Sequence, residues 1–299
     1  MRTDMSTSSS RSRPLARLAH CARIPLAFLV AAVCFVPLAA RAIPVAGIDF
    51  DWDASNPGAS PATAWASDIG SSNWNVNAAT LVSGPGVSSL PGITAAYRFD
   101  ASNGGMSAGS FSSLLGGATT RTSSSFELWF RPDSLLGGRQ VIFETGGTTD
   151  GMSITLNDAQ LLLRAKDAAV SVSVTRSLTA ADLSDFVQVV AVIELNSQVS
   201  LYLNGALVGQ SAAVGLGDWS GTNGAGLGAV NSAVGGNTGG DLNGFDEFAG
   251  QIALMRVYGD QVLSASDVAQ NYQFVANPEP SSGLLVGVGL ALFAVARRR

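Results

Sequence analysis

The chain has 299 residues, 46% of them hydrophobic, with 34 glycines, two cysteines, one histidine and a formal net charge of −5. That apolar share is enough for the core of one large all-β domain or two small ones. Six of the 17 basic residues precede residue 43 and three close the chain, while Asp4 and Glu279 are the only acids outside residues 43–277, so this body holds 8 basic and 20 acidic residues. Its net charge of −12 argues against nucleic acid or an anionic membrane surface as a partner.

The first segment is an address. "RSRPLARLAHCAR" is basic, "IPLAFLVAAVCFVPLAA" is apolar, and Ala40-Arg41-Ala42 is a small-x-small cleavage site, the pattern of a secretory signal peptide over residues 1–42. A transmembrane anchor is the alternative. Cys21, Cys34 and His20 all lie inside this segment. The exported body then has no thiol and no imidazole, which removes Ser-His-Asp and Cys-His catalysis and the usual His/Cys zinc sites. Burial, not disulfides, has to stabilise it.

Near the mature N-terminus, "IDFDWDASNPG" alternates Asp49, Asp51 and Asp53 with Phe50 and Trp52. A strand here would turn the aromatic pair to the core and the three acids to solvent, where a cation would relieve their repulsion. The spacing lacks the glycine and the closing Glu of an EF-hand loop. In "SSSFELWFRPDSL", Phe126, Leu128 and Phe130 alternate with Glu127, Trp129 and Arg131, and Pro132-Asp133 ends the strand. "RQVIFET" is a further strand, and "GMSITLNDAQLLLRA" is predicted as a hairpin turning at Asn157-Asp158. "DFVQVVAVIEL" reads as a strand buried on both faces. "VSLYLNGALVG" turns at Asn204-Gly205, a pair that tolerates the positive φ of a tight hairpin. "FAGQIALMRVYGDQVLSASDVAQNYQF" gives one more strand and a helix opened by a Ser264-x-x-Asp267 capping box. Strands of this length and spacing favour two antiparallel sheets packed face to face.

In order and spacing these segments resemble the laminin-G-like, concanavalin A-like jelly-roll domains, well over residues 123–272 and loosely over 43–117. The resemblance implies an all-β, two-sheet antiparallel sandwich over residues 43–276. Two positions depart from the family pattern. Phe186-Val187 stands where Trp-His is frequent, and Ala253-Leu254 where the closing strand often carries Asp-Glu, so calcium is not carried over with the fold.

The last segment, "NPEPSSGLLVGVGLALFAVARRR" over residues 277–299, is similar to a PEP-CTERM sorting signal: Pro278-Glu279-Pro280, an apolar span over 283–296, then Arg297, Arg298 and Arg299. Fourteen residues at ~1.5 Å each reach about 21 Å as a helix, short of a hydrocarbon core of roughly 30 Å. That suits a brief transmembrane stop with the arginines on the cytoplasmic side better than a permanent anchor, which remains the alternative. The resemblance implies recognition by an exosortase, an integral-membrane cysteine protease or transpeptidase of Gram-negative bacteria that make exopolysaccharide. The protein would pass through the secretion machinery to the cell surface or extracellular matrix.

Candidate site residues lie in the Gly/Asn-rich stretch over residues 217–250, which contains Trp219, Asp241, Asp246 and Glu247. As loops at the sandwich rim, they would offer an indole to stack on a sugar and carboxylates for sugar hydroxyls or calcium. The alternative is a solvated connection with a buried tryptophan. Jelly-roll glucanases carry their acids on a Glu-x-Asp-x-Glu or Glu-x-Asp-x-x-Glu strand; no such run occurs here, and Asp246-Glu247 are adjacent. The sequence thus predicts a non-catalytic exported module that binds extracellular polysaccharide or mediates adhesion, the alternatives being a structural matrix protein without a ligand or a glycoside hydrolase.

Overall fold

The computed structural model describes residues 45–278, apart from 78, 103, 110, 116–122, 148, 169, 222, 231–241 and 243–245. The predicted signal helix, the cleavage residues Ala40 and Ala42, and the segment from Glu279 to Arg299 lie outside the described residues, as does Asp241. Among the described residues no helix is long and apolar enough to cross a membrane.

Six strands precede the first long one: β1 (Phe50–Asp53), β2 (Ala64–Ala66), β3 (Asn73–Val76), β4 (Thr80–Ser83), β5 (Ala95–Asp100) and β6 (Met106–Ala108). After a helical turn, α1 (Phe111–Leu114), come β7 (Ser124–Pro132), β8 (Arg139–Gly146), β9 (Gly151–Asn157), β10 (Gln160–Lys166) and β11 (Ser171–Ser177). The remainder is β12 (Val187–Glu194), β13 (Gln198–Leu203), β14 (Ala206–Ala212), β15 (Ala225–Leu227), β16 (Asp246–Glu247), β17 (Ala249–Tyr258) and the helix α2 (Ala265–Ala276).

These strands form two sheets. The first runs β14-β13-β12-β7-β17-β5-β4, with β1 also paired to β17; the second runs β11-β10-β9-β8-β15-β6-β3-β2, with β16 beside β8. Pairing is antiparallel except between β16 and β8. The jelly-roll expectation holds, and the strands over residues 50–108 supply three members to each sheet.

Alternation on β7 places Phe126, Leu128 and Phe130 in the core between the sheets, facing Ile142, Phe143, Ile154, Leu161 and Leu163. An aromatic cluster of Phe50, Trp52, Trp74, Phe111, Phe126 and Phe143 fills one part of it through stacked, edge-on and tilted contacts at centroid distances of 5.1 to 6.5 Å. Burying each such ring contributes roughly 1.5–3 kcal/mol. The Asn204-Gly205 turn has φ of 50° and 81°, as a type I′ hairpin requires. Gly205 has a second reason: a Cβ there would come within 3.1 Å of Tyr272 on α2.

Helix α2 covers the outer face of the first sheet. Ser264 caps it, accepting from the Asp267 amide while the Asp267 carboxylate accepts from the Ser264 amide. Its ring Tyr272 stacks on Trp129 at 5.6 Å with planes 5° apart. Phe186, Ala253 and Leu254, at the two departures from the family pattern, pack in one apolar cluster with Trp129, Ile93 and Val275. There the chain carries apolar residues because the helix closes over them.

Candidate functional site

Helix α2 seals a polar centre. The bulge of β17 between Ile252 and Leu254 restores alternation, so that Arg256 lies opposite Glu127 on the outer face. Glu127 is fully buried and accepts four hydrogen bonds: from Trp129 Nε1 and Gln188 Nε2 on Oε1 (both 2.8 Å), and from Asn271 Nδ2 (2.9 Å) and the Tyr258 hydroxyl (3.3 Å) on Oε2. Arg256 Nε donates to Asp51 Oδ1 at 3.2 Å, and its Nη1 lies 3.6 Å from Glu127 Oε2. Burial opposes the guanidinium charge, but Glu127 and Asp51 more than compensate and raise its pKa. For Tyr258, burial and the Glu127 charge push the phenol well above its ordinary range. A buried charge set with this many hydrogen bonds is structural glue, costly to break by removing one partner.

The same centre corrects the reading of the aspartate strand. Phe50 and Trp52 do face the core, but Asp51 and Asp53 are buried as well, at 5% and 3% exposure. Asp51 is neutralised by Arg256, and Asp53 Oδ1 accepts from the Ser55 amide and hydroxyl, both at 2.7 Å. The cation that relieves the repulsion is a guanidinium supplied by β17, not a metal. Asp49 accepts from the Gly259 amide. Among the described residues no three His, Cys, Asp or Glu side chains converge on one point.

In the stretch over residues 217–250, Trp219 follows the alternative reading of a buried tryptophan. Asp218 Oδ1 accepts the amides of Trp219 and Ser220 at 2.7 and 2.8 Å, a turn that sends the indole inward. Trp219 is 0% exposed, edge-on to Phe126 at 4.9 Å, and has no free face for a sugar. Ala225–Leu227 is not loop but β15, bridging β8 and β6. Asp246 is exposed and Glu247 half-buried on β16, opposite Gln140 and Val141. The structure therefore does not bring Trp219 together with these carboxylates on one surface. Pro278, the first residue of the C-terminal motif, lines a cavity of about 220 Å³ with Pro91, Gly92, Leu254, Phe274 and Val275.

On the second sheet the outer face is different. In β9 and β10, Ile154, Leu156, Leu161 and Leu163 point to the core, so Ser153, Thr155, Asn157, Gln160, Leu162 and Arg164 point outward. They line a groove of about 380 Å³ with Arg139 of β8 and Leu242. The register sets its rows: Arg139, Asn157 and Gln160 in one, Thr155 and Leu162 in the next, then Glu144, Ser153 and Arg164. Thr155 is 1% exposed, and its hydroxyl has no hydrogen-bond partner. Hydroxyls, amides and guanidinium groups around two leucines, Leu162 and Leu242, are the kind of donor and acceptor set that meets a polyhydroxylated ligand. Sequence reasoning missed this groove because its residues are scattered as every second position of strands; the polar positions within "GMSITLN" and "QLLLRAK" are its trace.

Sequence comparison agrees with the architecture. The family model described as "Concanavalin A-like lectin/glucanases superfamily", in its laminin-G form, matches residues 101–269, more than half of the chain, and the PEP-CTERM protein-sorting motif matches residues 278–299. The chain belongs to the concanavalin A-like lectin/glucanase superfamily, and it carries the sorting motif of exported proteins. No curated protein matches it.

Among solved structures, the binding domain of botulinum neurotoxin serotype D is similar at a TM-score of 0.52 and 12% identity, over 76% of this chain and 50% of that one. The binding domain of Paraclostridial Mosquitocidal Protein 1 gives 0.51 and 12%, over 76% and 52%. A further receptor binding domain gives 0.56 and 11%, over 77% and 51%. The chain spans about half the length of these structures, and at this identity the likeness is one of fold.

Proposed function

We propose that this protein is an exported, non-catalytic glycan-binding module. A signal peptide over residues 1–42 sends the chain across the membrane, the sandwich over 43–276 folds outside, and an exosortase processes residues 277–299 at Pro278-Glu279-Pro280. The product is delivered to the cell surface or matrix. The observation that carries the binding half of this reading is the groove on the second sheet, where the exposed Arg139, Asn157 and Gln160 stand at one end of a set of hydrogen-bonding side chains, whereas the matching face of the first sheet is closed by α2.

Fold-level analogy adds support: one structure of similar fold is the botulinum neurotoxin serotype D ligand binding domain in complex with N-acetylneuraminic acid. The groove, not the stretch around Trp219, is where we place the ligand.

Two measurements test the halves separately. Intact mass of the protein from its own cells should begin at Ile43 and end near Pro280 only when the sorting protease is present; retention of Arg299 with and without the protease contradicts the sorting half. The exported protein should bind the polysaccharide of those cells, and Gln160→Ala, at an exposed position of the groove, should weaken binding without lowering the thermal midpoint. Full binding by that variant would move the ligand elsewhere.

A further inference from the structure

Helix α2 ends where the sorting motif begins. Its last residue is Ala276, Asn277 caps it by donating its amide to the Gln273 carbonyl at 2.7 Å, and the motif matches from Pro278 onward. No linker separates the folded body from the segment to be cut. On the membrane side only residues 279–282 precede the apolar span that starts at 283. Fully extended, the path from Pro278 to residue 283 reaches roughly 17 Å at ~3.5 Å per residue. Slack for a protease therefore has to come from the folded side.

That side is held by a strap, residues 84–94, which joins β4 to β5. The Gly84 amide closes its base by donating to the Thr94 carbonyl at 3.0 Å, and Asp185 holds its middle, accepting from the Ser88 and Ser89 hydroxyls and the Ser89 amide. From the strap the Gly92 amide donates to the Val275 carbonyl at 3.0 Å, and Val87 and Ile93 pack in one cluster with Val275, which is buried. The approach is close. A Cβ on Gly92 would lie 2.5 Å from the Val275 oxygen and 2.8 Å from its Cα, backbone atoms that cannot turn aside. Past that contact Pro278 borders a cavity of about 220 Å³ with Pro91, Gly92 and Phe274. A hydrogen bond, a buried valine and an unfilled seat make the last turn the part of α2 that opens at the lowest cost.

A protease acts on chain that has left its folded contacts, and where opening is fast its rate follows the population of the opened form. We infer that the strap over residues 84–94 gates the processing of this protein: the sorting protease cuts at Pro278-Glu279-Pro280 only after residues 274–277 have left Gly92 and its neighbours. This inference rests on the exosortase reading and adds how that cleavage is regulated.

The test uses full-length precursor accumulated in cells that lack the sorting protease, its conversion followed by intact mass after the protease is restored. A Gly/Ser insertion of about six residues between Asn277 and Pro278, spanning roughly 13 Å on average, supplies the missing slack. It should speed conversion about tenfold or more. Gly92→Ala, which pushes the last turn off the strap, should speed conversion about fivefold or more, because strain there raises the opened population. Added to the insertion, Gly92→Ala should change nothing further, since the gate is already bypassed. Conversion at the wild-type rate in both single variants overturns the gate and leaves the sorting reading standing. Absence of protease-dependent conversion in the wild type and in every variant overturns the sorting reading itself.

Discussion

The two sheets share a core but treat their outer faces in opposite ways. On the first, β7 and β17 turn Glu127, Trp129 and Arg256 outward, and α2 closes over them, so residues that alternation would give to solvent are buried. On the second, the same alternation leaves Arg139, Asn157, Gln160 and Arg164 on the wall of a groove. Polar residues on a strand therefore have two fates, set by whether another element of the chain packs over them. A helix docked in the right place converts charge into internal structure, whereas the outer face of the second sheet keeps Arg139, Asn157 and Gln160 exposed.

Glu127→Ala should separate the two faces most strongly. It strands four donors and one face of Arg256, and should cost about 3–5 kcal/mol in urea unfolding, a large share of the roughly 5–15 kcal/mol that holds a domain. Gln160→Ala, at an exposed position of the groove, should by contrast stay within about 0.5 kcal/mol. Equal costs would erase the distinction between the faces.

Trp219→Ala comes next at about 3–5 kcal/mol, because it empties a core site beside Phe126; Trp219→Phe should keep both fold and glycan binding. A Trp219→Ala protein of native stability that had lost binding would restore the indole to the ligand. Smaller still is Gly92→Ala. The Gly92 amide donates to the Val275 carbonyl at 3.0 Å, and a Cβ would sit 2.5 Å from that oxygen. The strain, about 1–3 kcal/mol, should appear as faster hydrogen exchange in the last turn of α2 and leave the groove unchanged.

The mildest effect is one of pH. Burial raises the Asp185 carboxyl, but hydrogen bonds from Ser88, Ser89 and the Phe186 amide outweigh it and hold its pKa below the ordinary 3.8. Its contribution is therefore present above about pH 4 and lost as pH falls through the folded value. Asp185→Asn should flatten that part of the stability profile, measured by thermal midpoint against pH, and no other.

Much of the sealed side was legible in the sequence. The period of "FELWF", the Asn204-Gly205 turn and the Ser264 cap are local signals, and each forms as read. Long-range pairing was not legible. Asp51 and Arg256 are 205 residues apart and meet only because β1 pairs with β17. The strands over residues 50–108 are three to six residues long, too short for a period to stand out. The glycines around Trp219 leave it open in the sequence between rim and core, and the Asp218 turn, a local device, carries it inward. The groove escaped notice because it consists of the positions that strand alternation assigns to solvent by default.

Footprinting of the exported protein with and without its polysaccharide decides which face carries the ligand. Protection should fall on Ser153–Arg164 and Arg139, with none on α2 or β17. Protection on α2, or around Trp219 and β16 alone, would contradict the assignment of the open face of the second sheet as the binding surface.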